Sequence, residues 1–481
     1  MPILDHLEPQ AVFSYFEQLC AIPHGSGNTK AISDFLVRFA AAHHLRCIQD
    51  AHNNVVIFSP GTPGYETAAP VILQGHMDMV CETAPDCTKD MTREGLDLFV
   101  DGDTIGARGT TLGGDDGIAV AMALAILDAD DIPHPPLEIV ITVDEETGML
   151  GAAVLDASVL KGRTMLNLDS EDEGVLTVSC AGGNVSVCTL PVTRAPFSGT
   201  ALTVTVGGLL GGHSGTEIDK GRGNAVQLMG RALYGAMEQV GALRIADLRG
   251  GQFDNVICPR CDAVVAVPAG KEEEFTSFVR KFDRIMKNEL SVADGGVTLS
   301  CAAVSGTAAY DADASARMLH ALLVMPQGVQ VMSPDFPGLV QTSQNLGVIT
   351  AEDDGLRFSL SIRSSVASEK EMLLQKVRAI VTFAGGTVST RGDYPAWQYA
   401  RQSPLRDTVM AAYKRVTGKD GVALAIHAGL ECGLLAGKMP GLDAVSFGPE
   451  LLDIHSPRER LGVASVERMY QLVCEILKNC R

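Results

Sequence analysis

Positive charge is scarce in this sequence beside negative charge. Its 481 residues carry 38 Lys+Arg against 58 Asp+Glu, a formal net charge of -20 with His neutral. Nucleic-acid binders neutralise phosphates with clustered Lys and Arg. The balance therefore argues against a nucleic-acid partner and against an anionic membrane surface. Long apolar runs are also missing. The longest conspicuous one, Ile118 to Leu127, falls well short of the roughly 20 residues that span a bilayer. The opening segment, MPILDHLEPQ, is acidic and has no basic stretch leading into an apolar one. These absences predict a cytoplasmic protein with no membrane partner. Dense cysteine is absent too. The 12 Cys are scattered, which predicts buried thiols in a reducing compartment. Cys258-Pro-Arg-Cys261 has zinc-knuckle spacing, but a second such pair is lacking. Incidental thiols are the expected reading there, with a redox or metal role as the alternative.

What is present fits a folded, soluble chain. The hydrophobic fraction is 46% and the charged fraction 20%, which excludes a disordered protein. At roughly 100–200 residues per domain, two or three domains are expected. The acidic excess suits a site that collects divalent cations, although a solvated acidic surface accounts for most of it.

Helical spacing of apolar residues marks about 11–21 and 29–42, and short apolar runs at 54–59, 71–74, 137–143 and 164–168 read as strands. Residues 116–128 read as a buried helix. Strands separated by helices predict an α/β domain with a mainly parallel sheet and helices on both faces. Beyond about Pro196 the order changes to strand (201–206), helix (224–240), strands, helix (272–290) and strand (296–302). A comparable unit follows, with helices at 313–323 and 370–383 and strands at 328–332, 356–362 and 387–390. This predicts two αβ-plait-like units side by side. From about Gln398 the strand–helix alternation returns, with strands at 422–426 and 444–447 and a C-terminal helix. The expectation is a first domain built from residues 1–186 and 397–481, interrupted by an inserted α+β lid domain over 187–396.

Several polar residues sit where apolar strands end. His76 and Asp78 follow the run 71–74, Asp144-Glu145-Glu146 follow 137–143, Asp169 follows 164–168, and Asp453-Ile-His455 follow the strand ending at Phe447. Asp115 and Asp116 open the apolar helix after a glycine-rich turn. Each piece has a bland reading: a satisfied His, a helix cap, an exposed acidic turn. Ligands bind beyond the carboxyl ends of strands in open parallel sheets. If these strands share one sheet, His76, Asp115, Glu145, Glu146, Asp169 and His455 converge on one edge. Imidazoles and carboxylates without thiolate suit a dinuclear zinc, manganese or cobalt centre.

Gly75-His-Met-Asp, Gly109-Thr-Thr-Leu-Gly-Gly-Asp-Asp-Gly, Asp144-Glu-Glu-Thr-Gly, Asn167-Leu-Asp, Gly212-His-Ser-Gly and Asp453-Ile-His-Ser-Pro resemble the motifs of the co-catalytic zinc peptidase family. That family includes aminoacylases, glutamate carboxypeptidases, tripeptidase T and dipeptidases. The ordered set matches from about residue 10 to the C-terminus. Ile426-His-Ala-Gly-Leu-Glu-Cys-Gly and Ser361-Ile-Arg-Ser-Ser are most similar to a dipeptidase branch that acts on Xaa-His substrates.

The resemblance implies two divalent metal ions, zinc first, with manganese or cobalt as alternatives. Asp115 would bridge them, His76 and Asp169 would complete one site, and Glu146 and His455 the other. Asp78 would orient His76, and Glu145 would be the general base. In the inserted domain, His213 would stabilise the oxyanion and Arg363 would hold the substrate carboxylate. Asn255 and Gly429 are weaker candidates for the same pocket. The expected activity is metal-dependent hydrolysis of dipeptides, Xaa-His or broader. Its alternatives are a tripeptidase, an N-acyl-amino-acid deacylase and a non-catalytic metal-dependent binding protein. The insert has nearly twice the length of a single plait. Its second plait would then supply a surface that simpler relatives obtain from a partner subunit, with His213 reaching the site in the same chain. Monomer and homodimer both remain open.

Overall fold

The computed structural model of the chain describes residues 2–306 and 308–481. Met1, the first residue of the N-terminal segment considered above, and Thr307 lie outside them. Two compact units emerge. One contains the residues up to Ser179 together with Tyr399–Ala425 and Leu430–Arg481; the other contains Cys180–Gln398 and Ile426–Gly429.

The first unit is built on an eight-stranded sheet. Its order is Arg46–Gln49, Val55–Ser59, Leu137–Thr142, Val71–His76, Thr164–Asn167, Asp443–Ser446, Val175–Cys180 and Val422–Ile426. The four strands from Leu137–Thr142 to Asp443–Ser446 run parallel to one another. Antiparallel pairs flank this centre. All residues of Val71–His76 and Leu137–Thr142 are buried. Side chains alternate between the faces of a strand, so both faces of the sheet centre are covered, as parallel sheets require. The helix Gly114–Asp128 packs against Val71–His76 and against the helix Gln10–Cys20. Its residues Gly117 to Ile126 are buried without a break, which explains an apolar run with no polar face. Among the described residues no helix is long and apolar enough to cross a membrane.

The second unit carries a nine-stranded sheet that contains two plaits. The first has strands Gly199–Gly207, Arg244–Gly250, Cys261–Pro268 and Thr298–Ala303, with helices Ala225–Val240 and Glu272–Glu289. Their spatial order is fourth, first, third, second. The second plait has strands Gly182–Pro191, Val340–Ala351, Gly355–Ser364 and Thr387–Tyr394, with helices Ala312–Val324 and Ala367–Phe383, in the same relative order. The plaits are neighbours in the sheet, joined through Arg249↔Thr350 and Gly250↔Ile349. In the chain they are nested. The whole first plait is inserted after the first strand of the second. Asn224 and Asp311 cap the first helix of each plait, accepting backbone N–H groups from the first turn. Cys258 and Cys261 lie in this unit as free, buried thiols, and burial pushes both pKa values up.

Candidate metal centre

The parallel strands of the first unit aim their carboxyl ends at one edge. His76 closes Val71–His76, Asp144-Glu145-Glu146 follow Leu137–Thr142, and Asp169 follows Thr164–Asn167. His455 comes after Asp443–Ser446. Backbone in the left-handed region re-aims the chain here, at Asp144 (φ 54), Asp453 (φ 51) and His455 (φ 58). Asp115 arrives from a different direction, on the turn that opens the helix Gly114–Asp128. Gly113 precedes it at φ 67, where an added Cβ would lie 2.8 Å from the Met79 sulfur. The expected capping role of Asp115 and Asp116 is absent: the cap is Gly113, without a side-chain hydrogen bond, and both aspartates depart from helical geometry.

Asp115 instead faces two imidazoles. Its Oδ1 is 3.1 Å from His76 Nε2 and its Oδ2 is 3.2 Å from His455 Nε2. Asp169 Oδ1 lies 3.8 Å from His76 Nε2, and Glu146 Oε2 lies 3.0 Å from His455 Nε2. His76 Nδ1 donates to the Asp78 carbonyl at 2.9 Å, which turns Nε2 toward the cluster. Ligand atoms within 4.8 Å of one another come from His76, Asp116 and Asp169, from His76, Glu145 and Glu146, and from Asp115, Glu146 and His455. Asp116 is thus an addition to the expected set; its Oδ2 also accepts the His76 backbone N–H at 3.2 Å.

Electrostatics show what this cluster needs. Burial, with other carboxylates nearby, pushes the pKa of Asp169 well up and that of Glu145 up to about 8. Burial also works against the Asp115 anion, but the imidazoles of His455 and His76 overcome it and hold its pKa well below the usual range. Asp115 and Glu146 raise His455 to about 10. Glu146 Oε1 is buried with no hydrogen-bond partner. Concentrated, partly orphaned carboxylate oxygen around imidazole nitrogen fits divalent cations.

Two buried carboxylates outside the expected set, Glu459 and Glu431, support the site. Glu459 accepts the N–H groups of Leu112 (2.8 Å), Gly113 (3.1 Å), Gly114 (2.8 Å) and Asp115 (3.4 Å). It fixes the turn that presents Asp115. Glu431 accepts from Gln74 at 2.5 Å and Thr142 at 2.6 Å, and burial pushes its pKa up to about 7. Glu431 lies inside the Ile426–Gly433 motif and Glu459 shortly after the His455 motif, and those positions were the available signal.

His213, Arg363, Asn255 and Gly429 all belong to the second unit. The Thr216 N–H donates to His213 Nδ1 at 3.2 Å, so the imidazole carries its proton on Nε2. Burial and the Arg363 charge both lower the His213 pKa. Arg363 and Asn255 border one cavity of about 390 Å³. Gly429 ends the segment Ile426–Gly429 and does not line that cavity. Its neighbour His427 is buried, bonds Ser343 Oγ through Nε2 at 2.7 Å, and has an unpartnered Nδ1. Ser343 pairs directly with Arg363 across two strands. His427 is thus linked to Arg363 through Ser343 and feels its charge, and it was not among the expected site residues.

An imidazole–carboxylate cluster at parallel strand ends, in a chain interrupted by plaits, describes a metallohydrolase architecture. The chain belongs to peptidase family M20/M25/M40, which it matches over residues 72–479. It is 36% identical over 482 residues to the cytosol non-specific dipeptidase of Escherichia coli (strain K12), a match covering 100% of this chain and 99% of that protein. Aminoacylhistidine dipeptidase from Vibrio alginolyticus matches in structure with a TM-score of 0.92 and 34% identity, covering 99% of this chain and 98% of that one. A tripeptidase from Staphylococcus aureus subsp. aureus mu50 shares the fold at a TM-score of 0.57 and 16% identity, covering 98% and 99% of the two chains. The resemblance read from the motifs is borne out at the level of family and fold.

Proposed function

We propose that this chain is a metal-dependent dipeptidase, hydrolysing dipeptides that include Xaa-His substrates. The observation that carries the reading is Asp115, one carboxylate oxygen toward His76 and the other toward His455, in a full-length relative of named dipeptidases. Two divalent cations, zinc first, would be held by His76, Asp115 and Asp169 on one side and by Asp115, Glu146 and His455 on the other. Bound there, such a pair would supply polarisation of the peptide carbonyl and a more acidic water.

The remaining work falls to the chain. Glu145 takes a proton from the attacking water and returns one to the departing amine. Burial raises its proton affinity, the direction a group needs to take up a proton before releasing it. Asp78 keeps His76 oriented. His213, with its proton on Nε2, donates to the oxyanion of the tetrahedral intermediate, a contribution on the order of 3 kcal/mol. Arg363 binds the C-terminal carboxylate, and Asn255 and Gly429 contribute polar contacts to the substrate. The protein acts in the cytoplasm.

The test is a panel of dipeptides, tripeptides and N-acyl amino acids, assayed after loading with Zn, Mn or Co. Turnover of dipeptides, Xaa-His among them, with little activity on the other two classes supports the reading. Preferential tripeptide cleavage or deacylation replaces it with the corresponding hydrolase. No turnover of any class by metal-loaded protein points to a binding protein.

A further inference from the structure

Three neighbouring strands of the second unit bring Arg363, Gly183 and Tyr394 into line. Arg363 pairs with Gly183 on one side, and Tyr394 pairs with Gly183 on the other. The last pairing is irregular. Thr387–Tyr394 follows its neighbour in step to Arg391↔Val185, then the register shifts before Tyr394↔Gly183. Gly392, inside the shift, has φ 58. Irregularities of this kind bend a strand and re-aim the side chain that follows. Here they lay the tyrosine ring across Gly183. A Cβ added to Gly183 would sit 2.7 Å from the phenol oxygen and 2.8 Å from Cζ. The missing side chain is the gap through which Arg363 Nη1 donates to the Tyr394 hydroxyl at 3.1 Å.

That hydrogen bond leaves both partners with unused donors. Arg363 Nε is buried and unpartnered. The phenol oxygen accepts from the guanidinium, so its own O–H remains free to donate. Burial pushes the Tyr394 pKa up, against the opposing Arg363 charge, so that proton is present at neutral pH. Both residues line the cavity of about 390 Å³ that Asn255 also borders. The other guanidinium lining it, Arg391, is paired with Asp254.

We propose that Tyr394 is a substrate-binding residue, forming with Arg363 a two-donor clamp for the C-terminal carboxylate of the dipeptide, across the opening left by Gly183. The proposal rests on the dipeptidase reading above. A carboxylate has two oxygens. The guanidinium takes one through a charge-assisted bond and the phenol donates to the other.

The experiment compares a dipeptide with its C-terminal amide in wild type, Tyr394→Phe and Gly183→Ala, by kinetics and by calorimetric binding. Tyr394→Phe is expected to raise KM for the free acid about tenfold, with kcat within about twofold and the amide unaffected. The preference for acid over amide then falls by the same factor. Gly183→Ala, which displaces the ring but keeps the hydroxyl, should reproduce the fall. A merely structural tyrosine weakens both substrates alike. An unchanged preference in a folded Tyr394→Phe protein, or in Gly183→Ala, overturns the clamp. If wild type hydrolyses no dipeptide, the dipeptidase reading fails. Calorimetry still judges the clamp, because equal binding of acid and amide by wild type ends it.

Discussion

Asp78 accepts the backbone N–H of Glu145 at 3.1 Å through the carboxylate oxygen that also lies 3.4 Å from His76 Nδ1. Its other oxygen accepts from Ser26 Oγ at 2.7 Å and from the Glu146 N–H at 3.4 Å. One buried side chain thus ties the end of Val71–His76 to the turn after Leu137–Thr142. Replacing Asp78 with Ala removes both restraints at once. Metal affinity is expected to fall about 10–100-fold, the usual effect of losing the group behind a ligating histidine. Competition against a calibrated chelator measures it. Unchanged affinity would reduce Asp78 to a packing residue.

Glu145 offers a cleaner separation. If it handles the proton while its neighbour Glu146 ligates, Glu145→Gln should lower kcat by about 10²–10⁴-fold and leave bound metal unaltered. Glu146→Gln should lower metal content as well. Elemental analysis beside steady-state kinetics distinguishes the two. Near-wild-type turnover in Glu145→Gln would reassign the base.

The site residues at strand ends were legible because each lies in a short motif, and a parallel sheet brings its strand ends together whatever lies between them in sequence. Residues that support those groups were less visible. Glu431 and Glu459 are single carboxylates whose partners stand hundreds of positions away. The strand Val340–Ala351 escaped for a different reason. Its buried positions include Gln341, Thr342, Ser343, Gln344 and Asn345, a polar run that reads as a loop. Those groups find partners in the folded chain: Asn345 donates to the carbonyls of Asp254 and Val256, and Gln344 to that of Pro326. The helix Pro404–Thr417 was not among the expected elements, although Ser403 caps it and Pro404 stands in its first turn. The nesting of the plaits was hidden because the second plait's first strand, Gly182–Pro191, is separated from its partners by the entire first plait.

Glu459→Ala should reveal how far the Asp115 turn depends on its single acceptor. Truncation strands the N–H groups of Leu112, Gly113 and Gly114, which are buried. A buried donor left unsatisfied costs about 1–3 kcal/mol. The loss should therefore reach at least about 2 kcal/mol in urea unfolding of the metal-free protein. Because the same turn presents Asp115, metal affinity should fall too. A stable variant with normal metal binding would show that water replaces the carboxylate.

Metal removal tests the shared carboxylate itself. Chelation should abolish turnover and lower the urea midpoint, since a ligand at 100 times its Kd stabilises the folded state by about 2.7 kcal/mol. Readdition of zinc, manganese or cobalt should restore both, and the ion giving the highest kcat/KM identifies the best catalytic partner. Stoichiometry discriminates further. His455 pairs with Asp115 and Glu146, whereas Asp115 pairs with both imidazoles. His455→Ala should therefore retain one bound ion per chain where the wild type holds two. Asp115→Ala should weaken both, because each position loses an oxygen. If Asp115→Ala retained two tightly bound ions, the bridging assignment would be wrong even though the cluster binds metal.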